Sequence, residues 1–228
     1  FDQDEVQHLG EIASTEGRAK YNALSQKGDR DIYKGLTFWS PNINIFRDPR
    51  WGRGMETYGE DPYLTGELGV QYIRGLQGDD PRYLKLVATA KHFAAHSGPE
   101  STRHSANIFP SNRDMAATYL PHFRKAVQQA GVWSVMCAYQ RIAGEPCCGN
   151  SAMSSLLRDQ WGFEGYIVSD CWAVADFFQK NAHYVVPTRE AAAAKAVKAG
   201  TDLNCGDSYP ALTEAVRQGL ITEREIDV

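Results

Sequence analysis

Along the chain, apolar residues keep two alternating periods. In DQDEVQHLGEIASTEGRAKYNALSQKG they recur every three or four positions, with Val6, Leu9, Ile12 and Ala13 on one face. That spacing predicts a helix that buries this face and stops at Gly28. The same period runs through PYLTGELGVQYIRGLQG, SNRDMAATYLPHFRKAVQQAG, SAMSSLLRDQWG, TREAAAAKAVKAG and PALTEAVRQGLI. Ser111 or Asn112 is placed to accept the free amides that open the second of these and Gly131 to close it; Thr188 and Gly200 do the same for TREAAAAKAVKAG. Between the helical segments lie short β-prone runs: LTFWSPNINIF, broken at Pro41, then LKLVATAKHF, VWSVMCAYQ, GYIVSD and the brief TDLNC.

Strands and helices taking turns, with glycine at the junctions, predict repeated βα units and a parallel sheet. A doubly wound sheet and a (β/α) barrel both fit. No glycine-rich phosphate loop follows any strand, which argues against the doubly wound form. Polar residues instead gather where strands end: KH after LVATA, AYQ after VWSVMC, SD after GYIV and DLN after KAGT. In a barrel those ends share one face, where catalytic groups converge. The expected fold class is α/β, a (β/α)8 TIM-type barrel incomplete in this chain, with about five βα units visible. Residues 1–228 are read as one partial barrel domain, since no linker, repeat or low-complexity tract divides them.

Composition narrows the function classes. With 228 residues, 43% hydrophobic and 23% charged, the chain is long enough to bury a sizeable core. Its net charge of -4 comes from interspersed acids and bases, and without a basic block nucleic acid is not an expected partner. The longest uncharged apolar stretches, such as AGVWSVMCAY, fall short of the roughly 18 residues of a membrane helix, so no membrane partner is expected either. The five cysteines show no CxxC spacing and read mostly as buried thiols.

Three places carry candidate chemistry, each with a plain structural alternative. The apolar run of GFEGYIVSDCWAV ends on Asp170, whose plain alternative is a helix cap for CWAVADFF, a role Asp often fills after a βα turn. NINIFRDPRWGRGMETYGEDPYLTG is too polar for a core and reads as a long ordered loop, or as a surface loop braced by Arg47, Asp48, Arg50 and Glu60. Lys91 and His92 follow a strand directly. His92 and His96 are four apart, with His104 beyond, but there is no HExxH, and His92 ends a strand after which His96 need not face the same way. No metal is expected.

Together these segments are more specific than any alone. RDPRWGRGMETYGEDP, KHF, VMCAY and YIVSD follow one another in the order, and with roughly the spacing, of family 3 glycoside hydrolases. From Phe1 to Val228 the chain resembles the first, barrel domain of such an enzyme. SDC and HSGPE are more similar to the bacterial β-xylosidase-type branch than to the β-glucosidase branch. The resemblance implies a retaining, exo-acting β-glycosidase that needs no cofactor. It would cleave non-reducing-end β-xylosides, or β-glucosides, of short oligosaccharides and aryl or alkyl β-glycosides, as in xylan degradation. Asp170 would be the catalytic nucleophile, forming a covalent glycosyl-aspartate that water then hydrolyses. Arg53, Lys91 and His92 would hold sugar hydroxyls, with Arg103 added to the cluster. Met136 and Tyr139 would supply an apolar wall and a hydroxyl. Cys171 stands where the β-glucosidase branch has a tryptophan, and Trp172, one place later, is the candidate stacking aromatic.

The resemblance also implies what should lie elsewhere. The family's early substrate-binding aspartate would precede Phe1, and its general acid/base would come from a second α/β domain past Val228. That absent domain is the expected partner in the parent protein. Without an acid a glycosidase loses about 10²- to 10⁴-fold, so the chain alone is expected to be weakly active or inactive. A bacterial periplasmic or secreted location rests on the resemblance alone. The rival readings are a non-catalytic sugar-binding or structural barrel remnant and an N-acetylhexosaminidase. In the latter, His104 would act with an acid partner, but Thr102 stands at the expected place.

Overall fold

The structure, a computed structural model, describes residues 1–96 and 98–227. Ser97 of HSGPE and Val228, the end of the expected domain, lie outside the described residues. Strands β1 (Thr37–Phe38), β2 (Val87–Phe93), β4 (Ser134–Cys137) and β7 (Tyr166–Ser169) form one sheet in the order β1-β2-β4-β7. Every pairing in it is parallel. The loops after β2 and β4 carry a second small sheet of β3 (Asn107–Ile108), β5 (Arg141–Ile142) and β6 (Glu145–Pro146).

Two expected strands are shorter than their sequence patterns. Pro41 has no amide hydrogen for a ladder, and β1 stops before it; a single bridge from Asn42 to Lys91 continues its line. TDLNC contributes one bridge, Leu203 to Val168, beside β7. The main sheet is curled. In a flat four-stranded sheet β1 and β7 would stand roughly 14 Å apart. Instead Thr37 Oγ1 and Tyr166 OH approach to 3.1 Å, as the curvature of a barrel wall requires.

The helices are α1 (Gln3–Ser25), α2 (Pro62–Gln77), α3 (Asn112–Asp114), α4 (Pro121–Gln128), α5 (Ser151–Ser155), α6 (Arg189–Lys198), α7 (Leu212–Arg217) and α8 (Glu223–Ile226); α2, α4 and α6 pack on the convex side of the sheet, and α7 and α8 pack on α6. Ala88, Ala90, Val135 and Ile167 face outward from the strands into one apolar cluster with Ile73, Leu76, Phe123, Leu157 and Ala192. Alternation along the strands turns Lys91, Met136 and Val168 to the concave side, where they pair in register. The predicted caps form: Ser111 makes a reciprocal capping box with Asp114, and Thr188 accepts the Ala191 amide. The helix expected from Ser111 to Gly131 is divided by a π-turn over Met115–Tyr119 before Pro121 opens α4.

Two expectations are corrected. The apolar face assigned to α1 is not the buried one, since Leu9 and Ile12 are 51% and 43% exposed while Gly10, Ser14 and Gly17 are buried. Small residues win because α1 crosses α2 at backbone distance. A Cβ on Gly10 would sit 2.7 Å from the Tyr72 carbonyl oxygen, and Ser14 Oγ donates to the Gly75 carbonyl at 3.0 Å. The cysteines are not mostly thiols either: Cys137 bonds Cys148, Cys171 bonds Cys205, and only Cys147 remains free among the described residues. Both pairings are tertiary, set by where β4, β7 and the Leu203 segment lie, so spacing in the sequence did not reveal them. Burial pushes the Cys147 thiol up to about 12.

Candidate active site

Three of the parallel strands deliver the site. β2 ends on Lys91 and His92, β4 runs into Ala138, Tyr139 and Gln140, and β7 is followed at once by Asp170. Asp170 is buried, 8% exposed. Its Oδ1 accepts the Cys171 amide at 2.8 Å, and the helical turn that follows, Ala175–Phe177, has no side-chain cap. The capping alternative for Asp170 is therefore not what the fold uses. Its other oxygen, Oδ2, is buried without a hydrogen-bond partner.

His92 faces that oxygen, with Nε2 3.5 Å from Oδ2. The contact is close, yet it is no ion pair. Burial, then the charges of His96, Lys91 and Arg53, hold the imidazole far below its ordinary value, so it is neutral. Asn44 Oδ1 accepts both the His92 backbone amide at 2.8 Å and the ring Nδ1–H at 2.9 Å. The Nε2 lone pair is thereby left to accept from Arg53 Nη1 at 3.2 Å. Arg53 is fixed in turn by a two-toothed bond to Glu56, Nε to Oε1 at 2.6 Å and Nη2 to Oε2 at 2.7 Å.

Burial raises the Asp170 carboxyl above its ordinary value; the Cys171 amide, the Tyr139 hydroxyl, Lys91 and Arg53 oppose the rise. Lys91 is itself lowered, first by burial and then by Arg53. Two cations thus act on Asp170 without closing an ion pair on it. Such a carboxylate keeps one oxygen open to an electrophilic carbon.

Tyr139 OH donates to the Cys171 carbonyl at 2.8 Å, and its phenol is pushed upward by burial and by the charge of Asp170. The Arg103 guanidinium lies 5.4 Å from the Tyr139 ring centre and is bonded to Glu100 at 2.9 Å. Met136 is fully buried beside Lys91 in the β2–β4 register. Trp172 is 60% exposed, with its amide bonded to the Cys205 carbonyl at 2.7 Å and a left-handed backbone, φ 62°. Of the residues singled out from the sequence, Asp170, Arg53, Lys91, His92, Met136 and Tyr139 gather at the strand ends. Arg103 stands behind Tyr139, and Trp172 stands on the rim.

The structure adds residues that sequence reasoning missed. Asn44 fixes His92, Glu56 fixes Arg53, and Gln140 Oε1 accepts from His96 Nδ1 at 3.0 Å. Glu56 had a local signal, three residues after Arg53; Asn44 and Gln140 had none. His96 does face His92, ring centres 4.8 Å apart, but burial holds it down to about 4 and both histidines spend Nδ1 on amide oxygens. Among the described residues no cluster of three His, Cys, Asp or Glu side chains suits a metal ion. His104, beside which the sequence places Thr102 where an acid partner is expected, has one in Asp176: Nδ1 and Oδ2 are 2.8 Å apart.

The chain has relatives among known proteins. The chain is 53% identical to a xylan 1,4-β-xylosidase of Xylanibacter ruminicola over 95% of this chain and 26% of that protein. It is 44% identical to β-D-xylosidase 3 of Arabidopsis thaliana, over 100% of this chain and 29% of that protein. A family 3 exo-β-xylosidase solved in complex with a xylobiose aziridine activity-based probe superposes with TM-score 0.88 at 38% identity, covering 97% of this chain and 29% of that one. A β-glucosidase from Listeria innocua in complex with glucose superposes at 0.83 with 31% identity, covering 99% and 30%. The chain thus spans less than a third of the length of each of these relatives. Residues 20–228 match the glycosyl hydrolase family 3 N terminal domain, and with the curled parallel sheet and its polar strand ends this match makes the chain a member of that family.

Proposed function

We propose that the chain provides the nucleophile half of a retaining, exo-acting β-glycosidase. Its substrates are non-reducing-end β-xylosides of short oligosaccharides in preference to β-glucosides. The observation that carries this reading is the buried, unbonded Oδ2 of Asp170 beside neutral His92 and the cations Arg53 and Lys91. In the first step Oδ2 forms a bond to the anomeric carbon as the bond to the leaving oxygen breaks, and the leaving oxygen takes a proton. In the second, water attacks the same carbon from the opposite face and gives up a proton, and Asp170 is released as carboxylate. Arg53, Lys91, His92 and Arg103 hold and polarise the sugar hydroxyls, Met136 and Tyr139 wall the pocket, and Trp172 stacks at its rim. The preference for xylosides is supported by the names of the relatives with 53% and 44% identity.

The proton donor for the leaving group belongs, in this reading, to a second domain of the parent protein, consistent with the share of each relative that the chain covers. Residues 1–228 alone are then expected to turn over unactivated xylobiose about 10²- to 10⁴-fold more slowly than the parent. The two disulfides support an oxidising compartment.

Covalent trapping tests the reading. A 2-deoxy-2-fluoro-β-xyloside with a dinitrophenolate leaving group needs little acid assistance, and mass mapping after incubation should place one fluoroxylosyl group on Asp170. Xylose binding without any adduct would overturn the enzyme reading in favour of a sugar-binding module.

A further inference from the structure

Three loops of the site meet at a polar contact that the proposed reaction leaves without a role. His104 lies in the loop after β2, Tyr139 in the loop after β4, and Asp176 in the turn that follows Asp170. His104 Nδ1 is 2.8 Å from Asp176 Oδ2, and the His104 and Tyr139 ring centres are 4.3 Å apart. The Asp176 side chain is 4% exposed, whereas that of His104 is 43% exposed. The Asp176 backbone is tied at both ends: its amide donates to the Trp172 carbonyl at 3.3 Å, and its carbonyl accepts the His183 amide at 2.9 Å. A carboxylate buried this deeply is retained only with a partner, and His104 is the side chain bonded to it.

We propose that His104 and Asp176 form a positioning pair that cross-braces the three loops. It clamps the Tyr139 ring so that the hydroxyl stays on the Cys171 carbonyl, next to the nucleophile. The inference rests on Asp170 as nucleophile, and its mechanical part is independent of turnover. Tyr139 is held from two sides, by the imidazole of His104 and the guanidinium of Arg103. Loss of the His104–Asp176 bond frees the first side. The pair also has an electrostatic consequence, because Asp176 faces Asp170, Arg103 and Tyr139 as well as His104, with His183 and Arg141 behind them. Burial first, and then the negative charge of Asp170, push Asp176 up to about 6.

The test uses the full-length parent protein and the rate of covalent labelling by the same fluoroxyloside. Asp176→Leu removes the acceptor while keeping the branched arrangement of side-chain heavy atoms, and His104→Phe keeps a ring but no donor. Each should slow the labelling step by about tenfold or more with little change in the half-saturating concentration, and the double variant should be no slower than the slower single. Asp176→Asn keeps an acceptor and drops the charge; it should lose less than Asp176→Leu, with the half-saturating concentration again little changed. Singles near wild type, losses that multiply in the double variant, or an Asp176→Asn variant as slow as Asp176→Leu would overturn the pair. Crystal structures judge the brace without chemistry: Tyr139 should stay on the Cys171 carbonyl in wild type and leave it in Asp176→Leu. An undisplaced Tyr139 would overturn the proposal. If wild type takes no label on Asp170, the proposed function falls, and these structures alone decide the pair.

Discussion

At Asp170, burial and function pull in opposite directions. The folded state raises the carboxyl above its unfolded value, so folding favours the protonated form. For a group shifted this way, stability is fully present below the unfolded pKa and is lost as pH rises through the folded one. Asp170→Asn keeps the shape without the charge and should therefore raise the thermal midpoint at pH 7, by about 2–4 °C for each kcal/mol recovered. The gain should vanish below about pH 4, where wild type is neutral as well. Melting curves from pH 3 to pH 8 check this, and a variant less stable than wild type at pH 7 would contradict it. Placement at a strand end was legible in the sequence for Asp170, Lys91, His92 and Tyr139. Asn44, Gln140 and Asp176 were not. Each acts through hydrogen bonding to a residue 44 to 72 positions away, and no local pattern encodes such a bond.

At the level of elements, period and punctuation recovered the order and approximate place of the main strands and helices, though not their lengths, because glycine, proline and capping side chains act within a few residues. Failures arose where tertiary packing decided. Gly10 and Gly75 allow α1 and α2 to touch backbone to backbone, so an apolar stripe did not mark the buried face of α1. The disulfides followed the same rule. Cys171 and Cys205 lie 34 residues apart and join only because Leu203 bridges β7. Closing a loop of that length removes entropy worth about 3–4 kcal/mol from the unfolded chain, against about 2–3 kcal/mol for the 11-residue separation of Cys137 and Cys148. Replacing Cys171 and Cys205 by serine should lower unfolding free energy by about 3 kcal/mol, measured by denaturant titration without reductant. No loss would mean that the bridge does not form in solution.

Over the whole molecule, the curl that brings Thr37 to Tyr166 turns successive strand ends toward one concave face. That geometry explains why residues as far apart in sequence as Arg53, Lys91, Tyr139 and Asp170 share a site, and it was legible in outline from where the polar residues fell. The concave side is left partly open at its margins, where Trp39 is 39% and Leu203 51% exposed. The central claim is that Asp170 attacks carbon, and chemical rescue tests it most directly. Asp170→Gly, given an aryl β-xyloside and azide, should regain turnover and release the α-xylosyl azide, because azide would attack from the face that the carboxylate has vacated. A β-configured azide, or hydrolysis at the wild-type rate without azide, would contradict the account.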